Sequence, residues 1–76
     1  MYTVKQARLL SGLTQCEVAK RMNIDVGTYR KMEMFPENTT IKRAKIFSDT
    51  VKIPIDLIFF DSDSTLSRTN AKERSR

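Results

Sequence analysis

Apolar positions recur along the chain at helical spacing, and turn-forming residues cut the pattern into short segments. Val4 and Ala7, with either Leu10 or Arg8, define one face of a first helix over about 2–11, which Gly12 ends. Thr14 with Glu17 three residues later reads as a capping box. A second helix therefore starts near Gln15 and runs to about Met22, with Val18, Ala19 and Met22 inward. Asn23 suits the left-handed conformation that closes a helix, and Ile24 packs inward. Asp25 caps a third helix over about 26–33 that buries Tyr29 and Met32. Pro36 disfavours helical backbone at residue 35, so 34–40 read as a loop. Thr40 caps a fourth helix over 41–51, with Ile41, Ala44, Phe47, Ser48 and Val51 inward. Pro54 suits the first turn of a fifth, over 54–60. Strand-type alternation and repeats are absent, so the expected fold class is all-α with five helices.

The pattern stops at Asp61. The stretch "DSDSTLSRTNAKERSR" has one large apolar residue, Leu66, and is expected to be a disordered or extended tail. The expected division is a domain over 1–60 and a polar tail over 61–76. Within 76 residues the core is small. The net charge is +5, and residues 1–60 hold most of it, with ten Lys+Arg against six Asp+Glu. A basic excess on a short chain favours an anionic partner, most often nucleic acid.

Chemistry is scarce. There is no His, and Cys16 is the sole cysteine, so neither a nucleophile–base pair of the usual kind nor a cysteine zinc cluster is expected. Asp61 and Asp63 open something like a calcium loop, but Leu66 stands where Gly is needed and Lys72 where the bidentate acid should be. No enzyme, metal, cofactor or small-molecule substrate is expected. Ile53 to Phe60 is too short to span a bilayer and contains Pro54 and Asp56, so no membrane association is expected. Lys5, Gln6 and Arg8 interrupt any signal-peptide layout, which points to a cytoplasmic setting.

The informative stretch is "LTQCEVAKRMNIDVGTYRKME", residues 13–33. Two short capped helices with a tight break between them make a helix-turn-helix. Its second helix enters the major groove of duplex DNA with its N-terminal end foremost. At this point "ARLLSGLTQCEVAKRMNIDVGTYRKME" resembles the lambda-repressor-like (Cro/repressor-type, XRE-like) helix-turn-helix family over about residues 3–59. The resemblance is carried by Arg8 four residues before Gly12, then Leu13-Thr14-Gln15, Ala19, Ile24, Thr28 and Glu33. It implies a small phage or bacterial transcriptional regulator of genetic-switch type that binds operator DNA in the cytoplasm of a bacterial host. It also implies an internal ion pair of Arg8 with Glu33 and contact of Thr14 and Gln15 with a phosphate at the start of the second helix. By the same resemblance Val26, Gly27 and Lys31 touch bases, and Thr28 and Arg30 touch phosphate or base. Asn38 and Thr39 lie in the loop that follows the DNA backbone, and Arg43 lies nearby.

The sequence also departs from that pattern. Val26 and Gly27 offer no bidentate base contact. Met34, Phe35, Pro36 and Glu37 make an apolar, then acidic, loop where phosphates would pass. Ile46, Leu57 and Phe60 add apolar groups at usually polar sites. Met34, Phe35, Ile46, Leu57 and Phe60 are therefore candidates for a protein interface. One reading is a homodimer. The other is an antirepressor or modulator that uses this fold to bind a repressor protein's DNA-binding domain, alone or together with DNA.

Overall fold

Every α-helix among the described residues begins at a short polar side chain that accepts a hydrogen bond from the helix's first turn. The computed structural model describes residues 1–60; the expected tail, 61–76, lies outside the described residues. Helix α1 spans Val4–Ser11, and Thr3 caps it in a full capping box with Gln6. Helix α2, Gln15–Met22, has the capping box of Thr14 and Glu17. In α3, Val26–Met34, Asp25 accepts from the backbone N–H of Gly27. In α4, Ile41–Val51, Thr40 accepts from that of Arg43. Such caps satisfy backbone donors that the helix itself leaves free.

Three of these four helices, α1, α2 and α4, stop as locally as they start. Gly12 and Asn23 adopt left-handed backbone, at φ 76° and 62°, and close α1 and α2. Lys52 does the same after α4 at φ 61°, a conformation costly for a side chain with a Cβ.

Among the described residues four α-helices form, not five. Pro54 is extended, Ile55–Leu57 make one 3₁₀ turn, and Ile58–Phe59 form a short strand, β2. It pairs in parallel with β1, Tyr2–Thr3, in the register Tyr2 to Ile58 and Thr3 to Phe59. Seven residues make too weak a helix to compete with hydrogen bonds offered by another strand. The same pairing draws Tyr2 and Thr3 out of the expected first helix. The loop before α4 holds a second 3₁₀ turn, Pro36–Asn38, with Pro36 at its first position.

The core is one cluster of Val4, Ala7, Val18, Ala19, Met22, Tyr29, Met32, Phe47, Val51 and Ile58. The Tyr29 ring stacks on Phe47 at a centroid distance of 6.1 Å, and Phe60 meets Phe47 edge-on at 6.2 Å. Two inward assignments are corrected. The third buried residue of α1 is Arg8, the second of the two alternatives the periodicity left open, while Leu10 is 62% exposed. Ile41 is 75% exposed, because as the first residue of α4 it overhangs the core that Ala44, Phe47 and Val51 enter.

Candidate nucleic-acid interface

The junction of α2 and α3 is organised around one carboxylate. Arg8 Nε donates to Glu33 Oε2 at 2.6 Å, and the two side chains are only 10% and 8% exposed. The Tyr29 hydroxyl donates to the same oxygen at 2.6 Å, and Gln15 Nε2 donates to Glu33 Oε1 at 2.9 Å. Arg8 Nη1 also reaches the carbonyl of Leu13, tying α1 to the turn before α2. Burial pushes the Glu33 carboxyl up, but the hydrogen bonds from Arg8, Tyr29 and Gln15 outweigh it and hold the group below its ordinary range. Burial, then the bond to Glu33, pushes the Tyr29 phenol far above its ordinary value. The Arg8 guanidinium is held charged by its bond to Glu33, against the opposing effect of burial.

This bracing fixes how α3 stands on α2. With Tyr29 and Met32 buried beneath it, α3 turns Arg30, Lys31 and Met34 outward, and Val26, Gly27 and Thr28 are half-buried. Val26 packs against the core. Gly27 has a local structural role: its N–H donates to Asp25 Oδ2 at 2.8 Å, and a Cβ at this position would stand 2.8 Å from that oxygen. The glycine thus permits a close cap, a role separate from the base contact that the resemblance implies.

Thr28 and Lys31 share one wall of a groove of about 200 Å³ with Met32, Phe35, Asn38, Thr39 and Arg43. The groove joins the outer face of α3 to the loop and to the first turns of α4. Two cations rim it, and no carboxylate lines it. The Thr39 hydroxyl oxygen is buried there without a hydrogen-bond partner among the described residues. Thr14 is engaged as the cap of α2 and is exposed. Gln15 is half-buried, and the protein holds its amide at both ends: Nε2 by Glu33, and Oε1 by Arg30 Nε at 3.2 Å.

The apolar candidates divide. Met34, Phe35, Ile46 and Leu57 are 67%, 47%, 38% and 45% exposed. Phe60 is half-buried against the core and so is less a surface group than the sequence suggests. Sequence reasoning missed a further exposed apolar group, Met1, Tyr2, Leu9 and Leu10, which share a second groove with Gln6. The doubled leucine was the available signal: two adjacent helical positions cannot both face one core.

Among the described residues no cluster of His, Cys, Asp and Glu could hold a metal ion, and no helix is long and apolar enough to cross a membrane.

Two capped helices braced by a buried carboxylate, the second presenting a cationic outer edge, define a helix-turn-helix domain. The helix-turn-helix family model of the Cro/C1, XRE-like type matches residues 4–58, and the chain belongs to that family. It is a family of DNA-binding regulators. No curated protein and no solved structure gives a match to the chain.

Proposed function

We propose that residues 1–60 form an operator-binding domain, and that the protein regulates transcription in a bacterial cytoplasm by inserting the leading end of α3 into the major groove. The observation that carries this reading is the groove where Thr28 and Lys31 of α3 meet Asn38, Thr39 and Arg43, with Arg30 also exposed on α3. Lys31 supplies direct base readout, and the loop and Arg43 follow the phosphates. Two copies then read half-sites about one helical turn, ~34 Å, apart.

The test is titration of duplex DNA from the protein's own regulatory region at two salt concentrations. Binding is expected to weaken steeply with salt. Lys31→Ala is expected to weaken it by about 1–3 kcal/mol. Absence of duplex binding at low salt would overturn the reading.

A second reading is favoured by the exposure of Phe35, which lines that groove, and of its neighbour Met34. In it the same face docks onto a repressor protein's DNA-binding domain. Capture of the repressor that is lost in Phe35→Ala, with no DNA binding by the protein alone, would favour it over the first.

A further inference from the structure

Gln15 sits between opposite charges. Its Nε2 faces the Glu33 carboxylate at 2.9 Å, and its Oε1 faces the Arg30 guanidinium at 3.2 Å. The amide has only one workable orientation. Turned over, it would set its oxygen against a carboxylate and its NH₂ against a guanidinium, two repulsive contacts for two bonds. Glu33 cannot move aside to allow this, since Arg8 and Tyr29 hold its other oxygen. The chain of bonds therefore runs from the core ion pair through Gln15 to an exposed arginine on the outer edge of α3. It engages the Nε of Arg30, and among the described residues no hydrogen bond engages the two Nη groups.

We propose that Gln15 is a positioning residue for Arg30: it anchors the guanidinium by Nε so that both Nη groups face a DNA phosphate, and it makes no phosphate contact of its own. This rests on the DNA-binding reading above and departs from the role that the family resemblance implies for Gln15. The physical basis is pre-organisation. A free arginine side chain loses rotamer freedom when it binds, whereas one already anchored loses less. Its fork then meets phosphate with two parallel bonds.

The two roles differ in a measurable way. A contact from the neutral amide of Gln15 releases no counterion, whereas a contact from Arg30 contributes about 0.9 to the slope of log K against log salt. The experiment measures affinity and salt slope on a mixed-sequence 30-base-pair duplex for wild type, Gln15→Ala, Arg30→Ala and the double variant. Arg30→Ala is expected to weaken binding about tenfold and to lower the slope by about one. Gln15→Ala is expected to reproduce most of both effects, and the double variant to resemble Arg30→Ala alone. Unchanged slope in Gln15→Ala, with losses that multiply in the double variant, would make Gln15 a phosphate contact and overturn the proposal. Failure of wild type to bind the duplex at low salt would remove the DNA-binding reading, and the proposal with it.

A measurement on the protein alone guards against misfolding. The Arg30 Nε–H resonance is expected to be resolved and slow to exchange with water in wild type. In Gln15→Ala it should exchange rapidly while the backbone amide spectrum keeps its helix-turn-helix pattern. A rapidly exchanging Arg30 Nε–H in wild type would also overturn the proposal.

Discussion

Glu33 accepts three side-chain hydrogen bonds, from Arg8, Tyr29 and Gln15, while remaining almost out of solvent. A buried ion pair is weak evidence for stability as such, but removing one partner strands the other at a cost of about 3–5 kcal/mol. Glu33→Gln is therefore expected to lower the thermal midpoint by more than ~10 °C at neutral pH, since each kcal/mol moves a domain of this size by about 4–8 °C. The sign with pH follows from the depressed carboxyl. Its stabilisation is fully present above the unfolded value of about 4.3 and is lost as pH falls through the lower folded value. Wild type should thus lose midpoint temperature steeply below about pH 4, and Glu33→Gln should lose less. Some slope will remain, because Glu17 is also held low, chiefly by the backbone N–H of Thr14. Circular dichroism melts between pH 2.5 and 7 measure both effects, and equal acid slopes in the two proteins would refute this account. The pairing of Arg8 with Glu33 was legible in the sequence through the family spacing. The inward turn of the Gln15 amide was not, because it depends on two charges that meet it only in three dimensions.

Among the helices, the starts were the most readable features, because a cap and the N–H groups it satisfies lie within three residues. The Thr3–Gln6 box repeats the Thr14–Glu17 pattern with Gln in place of Glu, so it too is written in the sequence. Ile41 and Leu10, by contrast, misled. Periodicity gives the angle of a side chain around its axis but not whether a neighbour covers that part of the helix. Helix α3 gives the sharpest test at this level. Asp25→Ala should cost about 1 kcal/mol through the lost cap. Gly27→Ala would ordinarily gain up to about 1 kcal/mol of helix propensity. Here the new Cβ meets the capping oxygen at 2.8 Å, so the gain and the disturbed cap should nearly cancel. In an Asp25→Ala background the conflict disappears, and Gly27→Ala should then restore about 1 kcal/mol. Urea denaturation of the four proteins checks this. A full gain from Gly27→Ala alone would mean that the cap moves aside freely.

For the whole molecule, the part hidden from sequence reasoning is the part with the longest reach. Four helices and most core residues follow from local periodicity, but the strand pair joins Tyr2–Thr3 to Ile58–Phe59. Two-residue strands carry no alternation to detect, and their partners are nearly a domain length apart. The pairing separates two neighbours: Ile58, to which the sequence assigned no role, is 5% exposed and in the core, while Leu57, an interface candidate, is 45% exposed. Ile58→Ala should cost about 2–5 kcal/mol. Leu57→Ala should stay within about 0.5 kcal/mol. Similar costs at the two positions, measured by chemical denaturation, would count against the strand. The pairing also bears on the order of events in folding. The caps and turns close loops of a few residues, but bringing residue 2 beside residue 58 closes nearly all of residues 1–60 into a ring, the costliest closure in conformational entropy. The clasp is thus expected to be the last fastening made and the first to loosen, with the Tyr2–Thr3 and Ile58–Phe59 amides exchanging with water before those of the braced helix pair.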